Sequence, residues 1–227
     1  MKKNIPKHVA LIMDGNRRWA KMHDMATIEG HRKGIDALIR TVEEANRIGI
    51  KYVTFYALSS ENFQNRPKVE VRELLKLIGE GIRRHIPRLK KEGVRLNVFG
   101  NLEALPISTR FVIKQVLKQL AGGKGVVVNI AINYGGRDEI IKAAQNLQDK
   151  KLKITKKGFE KALYTADIPD PDIIIRTGGQ KRLSNFLIWQ AAYSEFYFTD
   201  TLWPDFGMKG FQKALDGFNQ KKRNFGR

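Results

Sequence analysis

The segment of this sequence with the clearest chemical potential lies near the N-terminus and consists of Asp14, Gly15, Asn16, Arg17, Arg18 and Trp19. A carboxylate such as that of Asp14 is a hard oxygen ligand for a divalent cation. Gly15 lets a ligand approach the backbone closely, and the two arginines can grip phosphate oxygens. The segment therefore predicts a site for a metal ion and a phosphate group. The alternative is a side-chain-capped turn before a helix, with solvated arginines.

A second segment rich in anion-binding groups extends from Arg176 to Asn185 and contains Arg182, Leu183 and Ser184. Rigid arginine forks can clamp a diphosphate through paired hydrogen bonds, and a serine hydroxyl can add a donor. Two neighbouring glycines leave backbone N–H groups accessible to an anion. The segment predicts a second phosphate pocket, and the alternative is a solvated glycine turn.

A third segment, residues 59–67, is too polar for a core and too long for a tight turn. It contains Ser59, Ser60, Glu61, Asn62, Phe63 and Arg66. Such segments often close over ligands, so we predict a mobile loop that acts as a lid.

The elements that must position these segments follow from hydrophobic periodicity. Strands are predicted at residues 8–13, 51–58, 94–99, 126–132, 172–175 and 196–199, and helices at 31–49, 67–89, 108–120, 138–147, 155–164, 186–194 and 208–222. Alternating strands and helices predict a single α/β domain over residues 1–227, with a mainly parallel central sheet flanked by helices. Ligands bind outside the carboxyl ends of parallel strands, where all three polar segments begin.

Composition restricts the partners of this chain. The 227 residues carry 42 lysines and arginines against 23 aspartates and glutamates, a formal net charge of +19. Phosphorylated small molecules, an anionic membrane surface and nucleic acid are therefore candidate partners. A nucleic-acid-binding protein should interleave aromatic residues with a basic stripe, and no such stripe is clear, so no nucleic acid is expected.

Several classes of site are absent from the sequence. There is no cysteine, which excludes disulfides and thiolate chemistry, and the four histidines lack metal-ligand spacing. No glycine-rich dinucleotide fingerprint or P-loop is present. The apolar run at residues 9–13 is too short for a signal peptide or a membrane span. We therefore expect a cytoplasmic protein.

With these segments collected, the sequence resembles the cis-prenyltransferases, the family of the undecaprenyl diphosphate synthases. The resemblance rests on the ordered motifs HVALIMDGNRRWAK (8–21), GHRKG (30–34), YALSSENF (56–63), NIAINYGGR (129–137), IRTGGQKRLSNFLIWQ (175–190) and EFYFTDTLWPDF (195–206). It implies a homodimeric, Mg²⁺-dependent enzyme that condenses isopentenyl diphosphate with an allylic diphosphate, such as farnesyl diphosphate. It also implies an apolar tunnel for the growing chain, which the helix from Pro67 and the strand faces around Ala57 would line.

The resemblance also implies residue roles. Asp14 would bind Mg²⁺, Asn62 would accept or relay a proton, and Glu195 would associate with the metal in a neighbouring subunit's site. Residues implied in substrate binding are Gly15, Asn16, Arg17, Arg18, Trp19, His31, Ser59, Ser60, Glu61, Phe63, Arg66, Arg176, Arg182, Leu183 and Ser184. The small Ala57 favours a medium or long polyprenyl product, such as undecaprenyl diphosphate. The charge and the greasy product together predict peripheral attraction to membranes.

Three departures from the family pattern bear on activity. Thr27 stands where the family usually has an arginine on the allylic diphosphate, while Arg17 replaces a frequent glycine. Gln180 and Lys181 replace a usual acidic residue and its variable neighbour, and Gln64-Asn65 lengthens the lid by one residue. Replaced site residues can signal lost chemistry, so a weakened homologue acting as a partner subunit is an alternative. Because Asp14 and the arginines of the second pocket are present, an active enzyme is expected.

Overall fold

The computed structural model describes residues 5–220, which form one six-stranded sheet covered by helices. The strands are β1 (His8–Ile12), β2 (Tyr52–Ser59), β3 (Arg95–Phe99), β4 (Val127–Tyr134), β5 (Ile173–Arg176) and β6 (Glu195–Phe198). Their order is β3-β4-β2-β1-β5-β6, and every neighbouring pair is parallel. The predicted α/β class with a parallel sheet is confirmed.

The helices connect successive strands. They are α1 (Asn16–Met22), α2 (Thr27–Ile48), α3 (Ser60–Asn65), α4 (Lys68–Lys91), α5 (Ile107–Leu120), α6 (Gly136–Asp149), α7 (Lys156–Ala162) and α8 (Trp203–Gln220). Short 3₁₀ helices occupy Leu102–Ala104 and Gln190–Tyr193. The end of the last predicted helix, residues 221 and 222, lies outside the described residues. Over the described part of the chain, no helix is both long and apolar enough to cross a membrane.

The sheet is buried on both faces, as its apolar strands predict. Successive residues of β1 point to opposite faces, so Val9 and Leu11 join one core cluster while Ala10 and Ile12 join another. The larger cluster includes apolar residues of α2, α4, α5 and α8, and the smaller one contains Phe186. The two clusters thus cover both faces of the sheet and fix the strands whose carboxyl ends carry the polar segments.

Two sequence predictions about local structure are wrong. Residues 186–194 were predicted as a helix, but only Gln190–Tyr193 is helical, as a 3₁₀ turn. Leu187 has a φ of 46°, which interrupts helical geometry, and its side chain is buried in the smaller core cluster. Residues 59–67 were predicted as an irregular loop, but α3 forms there. The Ser59 hydroxyl caps that helix by accepting the N–H of Asn62 at 3.1 Å. Closure of this segment over a ligand stays a prediction.

Candidate active site

A polar cavity of about 400 Å³ lies at the carboxyl edge of the sheet, where β1, β2 and β5 end. Eleven residues singled out from the sequence line it: Asp14, Gly15, Asn16, Arg17, Arg18, His31, Ser59, Asn62, Arg66, Arg176 and Ser184. The cavity thus brings together residues from all three polar segments. This convergence follows from the strand order, which places β1 between β2 and β5.

Asp14 lies at the centre of the charged groups in this cavity. One carboxylate oxygen, Oδ2, accepts a hydrogen bond from Nη2 of Arg176 at 3.0 Å. The other, Oδ1, accepts from Nη2 of Arg18 at 3.1 Å. A carboxylate between two guanidinium groups leaves net positive charge at the sheet edge, which suits an anionic ligand.

Arg176 joins the first and second polar segments. Its side chain is 6% exposed, and besides Asp14 it contacts its own segment. Its Nη1 donates to the carbonyl of Arg182 at 2.6 Å and to the hydroxyl of Ser184 at 2.7 Å. A guanidinium held by three partners has a fixed orientation, so its fork is pre-organised for a ligand.

A glycine is required where the two segments meet. Gly178 has a φ of 80°, and a Cβ there would lie 2.5 Å from Nη2 of Arg18. The Gly178 carbonyl accepts a hydrogen bond from the same nitrogen at 2.7 Å. The glycine pair noted in the sequence therefore serves the approach of Arg18 to Asp14, in addition to the turn itself.

Buried polar atoms without partners are concentrated in this cavity. Five such side-chain atoms occur among residues 5–220, and three of them, Asn16 Oδ1, His31 Nε2 and Arg176 Nε, belong to residues that line it. Buried polar groups are almost always satisfied in native proteins. The concentration of such atoms on residues that line one cavity favours a polar ligand there.

His31 is held neutral in this environment. Burial, together with the positive charge of Arg66, lowers the pKa of its imidazole to about 4. At neutral pH the ring can donate one hydrogen bond to a ligand oxygen without adding charge.

The segment around α3 forms another wall of the cavity. Asn62 and Arg66 line it, and Arg66 also donates to Oε1 of Glu70 at 3.3 Å. The same carboxylate oxygen lies 3.8 Å from Nη1 of Arg17. Glu70, which sequence reasoning missed, thus holds two cations of the cavity together. Its place one turn after Pro67 on a predicted helix was the only available signal.

Tyr56 is a second lining residue that sequence reasoning missed. Its hydroxyl donates to the carbonyl of Tyr134 at 2.9 Å, and its ring stacks on Phe186 at a centroid distance of 4.5 Å. Burial raises the pKa of this hydroxyl above its ordinary value. Tyr56 is therefore an uncharged, rigid part of the cavity floor.

Other predicted site residues lie outside the cavity lining. Trp19 is buried, and its indole N–H donates to Asp205 at 2.8 Å. Leu183 packs against the smaller core cluster. The Arg182 guanidinium donates to Oε1 of Gln180 at 2.6 Å, so only its backbone carbonyl reaches Arg176. These side chains position the two segments in the structure described.

Three predicted lid residues also face away from the cavity. Ser60 donates to Oδ2 of Asp138 at 2.6 Å, and with Phe63 it lines a separate cavity of about 350 Å³. Glu61 accepts a hydrogen bond from the amide of Asn185 at 2.7 Å. These bonds tie α3 to two neighbouring segments.

Glu195 lies at the amino-terminal end of its strand, opposite to the carboxyl ends at which the polar cavity lies. It begins β6 and pairs with Ile173, whereas the end of β6, Phe198, pairs with Arg176. The three-residue step from Ile173 to Arg176, at about 3.3 Å per residue, separates the two ends of the strands by roughly 10 Å. Glu195 therefore does not join Asp14 in one chain's site, and its predicted role in a neighbouring subunit's site stays a prediction.

Thr27, one of the departures from the family pattern, begins α2 next to the cavity. With Arg17, His31 and Glu70 it lines a smaller space of about 180 Å³. Arg17 lines both this space and the polar cavity. A cation is thus present beside the position where Thr27 supplies none.

Apolar space lies behind the polar cavity. Ala57 and Leu74 line the polar cavity and also a small apolar cavity of about 60 Å³, which Ile78 and Ile82 of α4 share. The same two isoleucines line a larger apolar cavity of about 440 Å³ between α4 and α5. The two walls predicted for a tunnel, the helix after Pro67 and the strand around Ala57, therefore both border apolar space.

The donor set around Asp14 fits a magnesium ion that is carried with a phosphate ligand. Across the described residues, no group of three or more acidic, histidine or cysteine side chains is placed to hold a metal alone. Mg²⁺ is commonly bound by one or two carboxylates, with phosphate oxygens and waters completing its octahedron. Asp14 supplies such a carboxylate between Arg18 and Arg176 in the polar cavity.

Comparison with known proteins identifies the family. The family model described as "Putative undecaprenyl diphosphate synthase" matches residues 12–226. The chain belongs to this family of prenyltransferases. An isoprenyl transferase of Bacillus subtilis (strain 168) is 44% identical over 233 residues, covering 100% of this chain and 89% of the relative. One from Thermotoga maritima is 43% identical over 227 residues, covering 98% of this chain and 97% of the relative.

Solved structures of the same family share this fold. Lavandulyl diphosphate synthase from Lavandula x intermedia, in complex with dimethylallyl diphosphate, has a TM-score of 0.92 and 34% identity, covering 98% of this chain and 99% of that chain. A probable undecaprenyl diphosphate synthase from Campylobacter jejuni has a TM-score of 0.83 and 33% identity, covering 99% and 100% of the two chains. The resemblance drawn from the sequence motifs is confirmed.

Proposed function

We propose that the protein is a Mg²⁺-dependent cis-prenyltransferase that condenses isopentenyl diphosphate onto an allylic diphosphate, with farnesyl diphosphate as the expected primer. The observation that carries this proposal is the joining of two kinds of space. A positively charged cavity with unpartnered polar atoms lies directly in front of apolar space, and Ala57 and Leu74 border both. A diphosphate joined to a hydrocarbon chain has the same two parts. The allylic ligand of the lavender neighbour supports this choice of substrate.

In the proposed reaction, a bond forms between the terminal methylene carbon of isopentenyl diphosphate and C1 of the allylic substrate. The C1–O bond breaks, and diphosphate leaves with the electron pair. Arg18 and Arg176 stabilise the charge that grows on the leaving group, because they are already oriented toward the cavity. Magnesium, held by Asp14 and phosphate oxygens, would supply further charge neutralisation.

A proton must then leave C2 of isopentenyl diphosphate to form the new double bond. Asn62 lines the cavity and is the proposed acceptor or relay of that proton, which finally goes to the departing diphosphate. Neutral His31 would donate a hydrogen bond from its unpartnered Nε2 to a diphosphate oxygen. The apolar space beyond Ala57 would receive the lengthening chain, which we propose to be a medium or long polyprenyl diphosphate such as undecaprenyl diphosphate.

We further propose that the enzyme works as a homodimer in the cytoplasm and associates peripherally with membranes, where it would supply a lipid carrier for cell wall synthesis. Support for an interface comes from β6, the last strand of the sheet, where the exposed ring of Phe196 stacks on the half-buried ring of Phe198. In such a dimer Glu195 would approach the neighbouring subunit's site.

The test is an extension assay with purified protein, labelled isopentenyl diphosphate, farnesyl diphosphate and Mg²⁺, with EDTA as control. We expect metal-dependent extension and a ladder of products whose upper limit reports the usable apolar space. Absence of product with farnesyl, geranyl and geranylgeranyl primers would contradict the proposal and favour a partner subunit without turnover. Extension that persists in EDTA would contradict the role of magnesium.

A further inference from the structure

The outer face of α5 combines exposed apolar side chains with positive charge. Ile107 is 77% exposed and Phe111 is 62% exposed, and their spacing of four residues places them on one side of the helix. Arg110, Lys114 and Lys118 are exposed on the same side. Within residues 5–220, no ion pair engages these three cations. The stripe is thus amphipathic and its charge is uncompensated.

The inner face of α5 borders the larger apolar cavity. Val112, Ile113 and Val116 line this space of about 440 Å³ opposite the isoleucines of α4. Exposed basic residues of α4, including Arg72 and Arg83, lie at its rim. One helix therefore carries an apolar, basic stripe outside and a wall of the apolar cavity inside.

We propose that this surface, the α4–α5 face, docks on an anionic lipid bilayer. Ile107 and Phe111 enter the boundary between headgroups and acyl chains, as in helices that lie in a membrane interface. The cations on α4 and α5 bind lipid phosphates, to which the net charge of +19 adds long-range attraction. The commitment to an anionic bilayer comes from this combination, since exposed apolar residues alone are common on soluble proteins.

Docking in this orientation places the larger apolar cavity beside the bilayer. A hydrocarbon chain could then pass from the cavity to the acyl region without exposing its apolar surface to water, which is unfavourable. This consequence rests on the proposed function. The docking names the surface for the peripheral membrane association proposed above, and it can be measured without substrate.

One other surface of this chain has similar composition. Residues 150–157 contain five lysines, with Leu152 55% exposed and Ile154 70% exposed. This segment comprises the connection between α6 and α7 and the first two residues of α7, and none of its residues lines the apolar cavity. It therefore offers charge and apolar bulk without a route for a hydrocarbon, and it serves as a matched control.

The experiment is sedimentation of the full chain with vesicles of phosphatidylglycerol and phosphatidylcholine, compared with vesicles of phosphatidylcholine alone. We expect binding to the anionic vesicles, with a loss of about tenfold or more in the Ile107→Ser/Phe111→Ser variant. The Leu152→Ser/Ile154→Ser variant should bind like the wild type. Replacing Lys114 and Lys118 by glutamine should weaken binding about fivefold for each charge removed.

Several outcomes would overturn the docking proposal. They are failure of the wild type to bind anionic vesicles, equal binding to neutral vesicles, unchanged binding of the Ile107→Ser/Phe111→Ser variant, or loss of binding only in the loop variant. Circular dichroism and thermal unfolding check that each variant is folded, which is expected because the replaced side chains are exposed. A protein that binds through this face but makes no product would refute the proposed catalytic activity and leave the docking proposal standing.

Discussion

Replacement of Asp14 by asparagine tests the centre of the proposed site. The change keeps the size of the side chain and one acceptor oxygen but removes the negative charge. In the folded protein the Asp14 carboxylate accepts hydrogen bonds from Arg176 at 3.0 Å and from Arg18 at 3.1 Å. If Asp14 carries magnesium, the variant should bind the metal and the diphosphate poorly while remaining folded.

The magnitude of each effect follows from exposure. The Arg18 side chain is 49% exposed, so its pair with Asp14 contributes about 0–1 kcal/mol to stability. Arg176 is 6% exposed, so its charge-assisted bond is the stronger one, about 1.5–3 kcal/mol. Because asparagine keeps an acceptor, we expect a loss of roughly 1–3 kcal/mol in the free energy of unfolding, against a typical total of about 5–15 kcal/mol. Turnover should fall by about 10²–10³-fold or more, the usual effect of removing a charge-stabilising group.

The assay measures product formation over a range of Mg²⁺ concentrations, together with urea unfolding of the same preparations. Asp149→Asn is the matched control, because Asp149 is an exposed carboxylate at the end of α6 and does not line the cavity. That variant should keep turnover close to the wild type. If folded Asp14→Asn protein turned over within about tenfold of the wild type, the loss would be only about 1.4 kcal/mol and the reasoning would be refuted.

The remaining predictions concern the arginine fork, the buried histidines and the apolar space. Arg176→Lys should lower kcat/KM about 100-fold and reduce the free energy of unfolding by roughly 2–4 kcal/mol, because an ammonium group cannot bind three acceptors in this geometry. Arg137→Lys, at an exposed arginine, is the control. An equal effect of that control would contradict the reason given. Burial lowers the pKa of His8 and His31 from 6.5 to about 4. As the pH falls below 6.5, these histidines therefore take up protons in the unfolded chain before they do so in the folded protein. The free energy of unfolding should consequently fall as the pH decreases from 6.5 to 4. Urea midpoints across that range measure this, and a slope that survives both His8→Gln and His31→Gln would exclude the explanation. Ala57→Leu should shorten the product ladder in the extension assay, because a larger side chain would occupy the passage to the apolar cavities; a ladder of unchanged length would show that the chain takes another path.

Much of the architecture was determined locally by sequence. A run of apolar residues such as 8–12 can be satisfied only when both faces of a strand are covered, which requires a parallel sheet with helices on each side. Parallel strands place all their carboxyl ends at one edge, so polar segments that follow strands must meet there. Asp14, Ser59 and Arg176 could therefore be assigned to one site although they lie far apart in the chain.

Local patterns failed where tertiary packing decided the conformation. Residues 186–194 have helical periodicity, but Phe186 and Leu187 fill a core cluster beneath the second segment, and a positive φ at Leu187 permits this. Residues 60–65 are polar enough for a loop, yet the Ser59 hydroxyl caps them into α3. In both cases the competing interactions depend on neighbours that periodicity does not register.

By itself the sequence determined the fold class, the family and the residues at the carboxyl edge of the sheet, because these depend on apolar runs, turn residues and ordered motifs. Only the tertiary structure decided how those residues are used. It paired Asp14 with Arg176 across 162 positions and turned the Arg182 side chain toward Gln180. It also left His31 neutral and put Glu195 at the end of the strands away from the cavity. The reason is physical: charge pairing, burial and pKa depend on distances between side chains from separate strands, and strand order sets those distances.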